Sequence, residues 1–154
     1  EEYKQCVDLI IQTYKRIGLP CFKKKYFLTA NELLGKEGLL KTFAAKIDKH
    51  IIGTRMELCY KDMVYDWYAG ADENFKNYYP NDFIPYHVLL WSKGNGYKIF
   101  DFGGAGKPDV PYGVRDHKLK FGGELVEYGR FLCVLHPLLY KISKLGVYIF
   151  KKLK

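Results

Sequence analysis

The sequence contains no C-x-x-C pair, no H-x-x-x-H pair and no apolar run near the ~20 residues that a membrane-spanning helix needs. The first two absences argue against a structural or catalytic zinc site. The four cysteines, Cys6, Cys21, Cys59 and Cys133, are scattered, so they read as reduced thiols of a cytoplasmic protein and not as a disulfide framework. A leader pattern is missing at the N-terminus, and no internal repeat or linker is visible. Acidic residues are missing altogether after Glu127, while Arg130, Lys141, Lys144, Lys151, Lys152 and Lys154 follow. That unevenness sits within a net charge of +8, which favours an anionic partner such as nucleic acid, a phosphorylated substrate or an acidic membrane surface, with simple solubility as the alternative.

What is present is a globular composition. Of 154 residues, 48% are apolar, enough for one domain with its own core. Val7, Ile10, Ile11 and Tyr14 recur at helical spacing and predict a helix over Tyr3–Ile17, stopped by Gly18 and Pro20. A second helix is expected over Lys23–Leu34. The period then changes. Leu39–Ile47, Ile51–Tyr60 and Met63–Ala69 are short runs rich in β-branched and aromatic residues, separated by hairpin-length polar stretches, and they predict an antiparallel meander. Further expectations are a loop over Gly70–Asn81, a helix over Phe83–Ser92 with Pro85 in its first turn, and a strand over Tyr97–Phe102. A short helix over Val114–Lys120, a strand over Glu124–Val134 and a last helix from Pro137 follow. The fold class is α/β (α+β), a single domain with a mixed, mostly antiparallel sheet flanked by helices.

The segment FDFGGAGKPDVPYGVRDHKLKFGG, Phe100–Gly123, carries three motif fragments. Its D-F-G lacks the H-R-D loop and the lysine–glutamate pair of a kinase. Its G-G-A-G-K has Asp101 where a P-loop needs the first glycine, and Pro108 where it needs a hydroxyl for magnesium. A G-x-G-x-x-G dinucleotide fingerprint is absent. Spacing remains. Val114, Lys118 and Phe121 fall at i, i+4 and i+7 on one helix face. With Val114 and Phe121 apolar, that face is expected to be buried and to carry Lys118 inward, where an ammonium must find an anion or acceptors; the alternative is a lysine reaching back to the surface. Arg115 and Lys120 are expected to point elsewhere.

A strand ending in Asp101-Phe102-Gly103-Gly104, followed by Gly113-Val114, Lys118 and Phe121-Gly122-Gly123, resembles the late signature of the Fem-type aminoacyltransferases, which build peptidoglycan cross-bridges and are related to GNAT-type N-acyltransferases. His117 stands where the family has phenylalanine. The resemblance implies a GNAT-like fold and acyl transfer from aminoacyl-tRNA to an amine of a peptidoglycan precursor. It also implies that this chain is the second of two such domains. By the same resemblance Lys118 is the candidate catalytic residue. Tyr68, Asp101, Gly103, Gly104, His117, Phe121 and Gly122 are candidate substrate contacts, with Asp101 anchoring the turn or pairing with Lys118. The bland alternatives are turn glycines and, for Tyr68, a core aromatic. No metal or resident cofactor is implied. GNAT-type enzymes that use coenzyme A share a [QR]-x-x-G-x-[GA] pyrophosphate loop, and the equivalent stretch here reads ADENFKNYYPND. That favours a tRNA donor, whose acceptor end the basic C-terminus suits. Two alternatives stay open: an acyl-coenzyme A enzyme acting on an amino sugar or peptide in cell-wall, capsule or exopolysaccharide synthesis, and a non-catalytic binding domain. The last helix, with Leu138, Leu139, Ile142, Leu145 and Ile149 beside lysines, either docks on the sheet or lies on the inner face of an anionic membrane.

Overall fold

A computed structural model describes residues 1–129 and 131–152. The chain forms two compact units, Glu1–Gly123 and Glu124–Lys154.

The first unit is built on a four-stranded sheet of order β1-β2-β3-β4, with β1 Leu40–Ile47, β2 His50–Tyr60, β3 Met63–Ala71 and β4 Ile99–Asp101. The first three strands form the expected meander, β1 and β3 each pairing antiparallel with β2. Both hairpins turn through a left-handed residue, Asp48 (φ 52) and Lys61 (φ 54). β4 lies parallel to β3 over three pairs only, Met63 with Ile99, Val64 with Phe100 and Tyr65 with Asp101. β4 ends there, while β3 runs on to Ala71.

Helix α1, Glu2–Arg16, covers one face of the sheet because Cys6, Val7, Leu9 and Ile10 recur on one side of it. It joins Phe27, Leu40 and Met56 in one buried cluster. Gly70 permits the close approach, since a Cβ there would lie 2.9 Å from the backbone of Ile10. The Thr13 hydroxyl locks the contact, accepting from the Ala71 amide at 3.1 Å. Helix α2, Lys24–Ala30, runs directly into a π turn over Asn31–Gly35, so the expected Lys23–Leu34 helix is present but changes its winding. The Tyr3 hydroxyl donates to the Phe27 carbonyl at 2.7 Å and ties α1 to α2.

Helix α3, Pro80–Gly94, covers the other face through Ile84 and Val88, which pack on Ala45 and Ile52. It starts three residues before the predicted Phe83, because Pro80 serves as the first helical residue and leaves Pro85 in the second turn, buried. The predicted loop is shorter as well. Gly70 and Ala71 extend β3, and Glu73–Tyr78 winds as a 3-10 helix. α4 spans Gly113–Leu119.

In the second unit, α5 spans Pro137–Lys152. The strand expected over Glu124–Val134 is not formed; its described residues have no regular structure. A lone strand has no ladder to join, and this unit offers no second one among its described residues. Gly129, at φ +70, also breaks an extended run.

Candidate active site

The point where β3 and β4 separate collects most of the charge buried in the first unit. At the end of β4 the Asp101 carboxylate accepts from the Gly103 amide at 2.7 Å and closes a tight turn. Gly103 adopts φ +69, and a Cβ there would sit 3.2 Å from the Tyr65 hydroxyl, so the turn is pressed onto β3. From α4, the Lys118 ammonium donates to the carbonyls of Phe102 and, at 3.0 Å, Gly104. Burial lowers the Lys118 pKa, against the pull of Asp66 and with a further push from Arg55.

The face expectation for α4 holds for Lys118 and fails for its neighbours. Val114 is 47% exposed, whereas Phe121 is half-buried against Phe102 and His117. Lys118 is held by turn carbonyls, not carried in by an apolar stripe. Arg115, expected to point away, turns its guanidinium onto the preceding loop. It donates to the carbonyls of Lys107 (2.8 Å), Pro108 (3.3 Å) and Val110 (2.9 Å). The two cations of α4 therefore clamp the connection from β4 into their own helix. His117 reaches the other way, its Nε2 lying 3.0 Å from the Asp82 carboxylate in the first turn of α3. Asp101 anchors the turn through its hydrogen bond, and its charge also acts on Lys118 without a direct ion pair. Gly122 takes φ +73 with open space around it, as Gly104 has. Tyr68 packs among Tyr14, Phe27 and Trp67 on the α1 side of the sheet, away from this cluster.

Three further charged residues stand beside the turn, and sequence reasoning misses them. Gly53, which faces Pro80 and Ile84, sets the direction for Arg55 and Glu57 two and four residues on, so all three look toward α3. The Arg55 guanidinium donates to the Asp66 carboxylate across the β2–β3 pair, and each side chain is only 9% exposed. Glu57 lies opposite Asp66 in the register, wholly buried, and neither carboxyl oxygen has a hydrogen-bond partner. Burial and the Asp66 charge push its pKa up to about 9, against Arg55. Burial also raises Asp66, opposed by Arg55 and Lys118. The charge balance explains the division. Arg55 and Lys118 match Asp66 and Asp101, leaving no cation for Glu57, which is held neutral. The available signal was a charge at the centre of each apolar strand, T-R-M-E-L and V-Y-D-W-Y.

The loop between β3 and α3 is where a GNAT fold would receive a nucleotide pyrophosphate. Several of its amides are used internally. The Asp72 carboxylate takes Asn74 N–H, the Asp72 carbonyl takes Phe75 N–H, the Lys76 carbonyl takes Tyr79 N–H, and the Tyr79 carbonyl takes those of Asp82 and Phe83. Pro80 has none to give. A groove of about 490 Å³ lies elsewhere, between β1 and the end of α3, lined by Lys41, Phe43, Trp91, Asn95 and Tyr97. Among the described residues no group of His, Cys, Asp and Glu could hold a metal ion, and no helix is long and apolar enough to cross a membrane. The four thiols are free.

Comparison with known proteins agrees with this architecture. Residues 1–118 match the acetyltransferase (GNAT) domain family. The chain belongs to that family. It is an acyltransferase domain with the GNAT fold, a four-stranded mixed sheet between helices. No curated protein matches it. Among solved structures, an aminoglycoside N-acetyltransferase AAC(6')-Iy in complex with CoA is similar at TM-score 0.65 and 15% identity, covering 88% of this GNAT domain and 90% of that chain. An aminoglycoside acetyltransferase, meta-AAC0020 from an uncultured soil metagenomic sample, in complex with sisomicin, gives 0.59 and 12%, covering 86% and 89%. A putative acetyl transferase from Pyrococcus furiosus gives 0.56 and 16%, covering 89% and 95%. At these identities the likeness is one of fold.

Proposed function

We propose that this GNAT domain transfers an aminoacyl group from aminoacyl-tRNA to an amine of a peptidoglycan precursor, as the Fem-type resemblance implies. The observation that carries this choice of donor is the β3–α3 loop. A pyrophosphate cradle needs several backbone N–H groups aimed outward. Here the amides of Asn74, Phe75 and Tyr79 are bound within the loop, those of Asp82 and Phe83 are bound to the Tyr79 carbonyl in the first turn of α3, and Pro80 removes another. A tRNA donor needs no such cradle. Its phosphates call for a basic protein, and the chain's net charge is +8.

The reaction balances without a metal. The acceptor nitrogen attacks the ester carbonyl and the C–N bond forms. The tetrahedral intermediate collapses, the C–O bond to the tRNA ribose breaks, and the proton lost by nitrogen ends on the ribose oxygen. The residues must place the amine and hold the oxyanion. Lys118 has two N–H vectors on the carbonyls of Phe102 and Gly104, which leaves one for a substrate oxygen above the turn. Asp101 and Gly103 shape that turn. Gly104, Phe121, Gly122 and His117 border it, and Tyr68 supports β3 from behind. A donor of this kind places the reaction in the cytoplasm.

The test is label transfer from charged tRNA to a peptidoglycan precursor, run beside calorimetry with coenzyme A. Transfer with no heat of coenzyme A binding is expected. Micromolar coenzyme A binding with acetyl transfer to an amine would instead establish the second reading, an acyl-coenzyme A N-acetyltransferase acting on an amino sugar. The aminoglycoside acetyltransferases among the similar folds favour that reading. Absence of both transfer and coenzyme A binding would leave neither reading and would point to a binding domain, whereas turnover unchanged in Lys118→Ala would remove Lys118 from the chemistry.

A further inference from the structure

We propose that helix α5 lies in the surface of an anionic lipid bilayer, making the second unit a membrane-docking element. Leu138, Leu139, Ile142, Leu145 and Ile149 occupy an arc of roughly 120° on the helix. These side chains are exposed, Leu138 by 71% and Ile142 by 57%. Lys144 stands on the opposite arc, and Lys141 and Lys152 stand together beside one border of the apolar one. The ammonium groups of Lys144 and Lys152 lie 5.0 and 4.9 Å over the rings of Tyr140 and Tyr148, one turn away on the same polar side. An apolar arc edged by lysines whose stems reach up beside it is the arrangement that buries a helix to the depth of the lipid headgroups.

Charge position separates lying from spanning, because Lys141 and Lys144 stand in the middle of the described helix, where a spanning segment would carry both ammonium groups through hydrocarbon. Charge decides between lipid and a second copy of the chain. Two such helices packed face to face would bring the lysine borders of Lys141 and Lys152 together, with no acid after Glu127 to offset them. An anionic surface removes that repulsion. The stretch before the helix adds anchors, with Phe131 fully exposed and Leu135 80% exposed.

The experiment sediments the whole chain with vesicles of phosphatidylcholine alone or containing 30% phosphatidylglycerol. Binding to the anionic vesicles is expected, at least tenfold above the neutral ones and weakened by 0.5 M salt. K141Q/K152Q removes two interfacial charges worth about fivefold each, a drop of about 25-fold in partitioning. I142S/I149S, on exposed positions, abolishes binding with the helical circular dichroism and melting temperature retained. Equal binding to neutral vesicles, undiminished binding of K141Q/K152Q, or no binding together with a concentration-dependent doubling of mass would each overturn the proposal, the last by assigning the arc to a second copy.

Discussion

Replacing Glu57 with glutamine should make the protein less sensitive to alkaline pH. Glu57 is wholly buried, lacks partners for both oxygens, and has its pKa pushed up to about 9 from an ordinary 4.5. Between those values the folded chain holds a proton that the unfolded chain has released. The unfolded state then binds fewer protons, so stability falls as pH rises, and the loss is complete above the folded pKa. One proton corresponds to about 1.4 kcal/mol per pH unit. For a domain of this size that is a fall in melting temperature of about 4 °C per unit, with ~1 kcal/mol moving it by ~3 °C. The glutamine side chain keeps the shape and carries no ionisable proton, so the Glu57 part of the slope disappears. The variant's absolute stability at one pH is the poorer readout, because the amide brings an additional donor that also lacks a partner. The assay is thermal melting of both proteins every half unit from pH 5.5 to 8.5. The wild-type curve should fall by several degrees more than that of Glu57→Gln. Parallel curves, or a wild-type melting temperature rising across this range, would refute the assignment of a neutral carboxylic acid to this position.

Other outcomes follow from single contacts. Lys118→Met should fold and lose about 10²-fold or more in transfer, the scale of one oxyanion donor, read by single-turnover rates beside a melting curve. Arg115→Ala should free the Lys107–Val110 carbonyls and speed cleavage within the Gly103–Val110 loop by a protease of broad specificity, with little change in global melting, since the loop is exposed. Gly70→Ala should cost about 2 kcal/mol or more in urea unfolding, because its methyl meets helix backbone 2.9 Å away that no rotamer change can relieve. Tyr3→Phe should lose about 1 kcal/mol through the bond to Phe27.

The fold was legible where local pattern and final environment agree. Helical spacing placed α1, and short runs of β-branched and aromatic residues between hairpin-length polar stretches placed the first three strands within a residue or two. Legibility failed where a neighbour decided. Gly70 and Ala71 look like loop and become strand because α1 rests on them. Glu124–Val134 has strand composition and no partner with which to form one. The turn at Asp101–Gly104 and the inward placement of Lys118 are readable from spacing, but the apolar stripe that predicts this placement is not what holds the lysine there.

That difference bears on what Lys118 can do. An ammonium carried inward by an apolar face would need its charge met by substrate. This one is met by two backbone carbonyls before any substrate arrives. Its position is thereby fixed, which favours preorganised stabilisation of an oxyanion over a mobile cation that must be ordered at each turnover. The same bonds give it a structural role, so loss of activity in a substituted protein is ambiguous by itself. Lys118→Arg separates the roles. A guanidinium can keep both carbonyl bonds and the charge, but its planar fork cannot send the remaining donor where a tetrahedral ammonium sends its third N–H. A purely structural lysine should tolerate arginine with near-normal turnover. A lysine aimed at the oxyanion should lose kcat, with KM and melting temperature little changed.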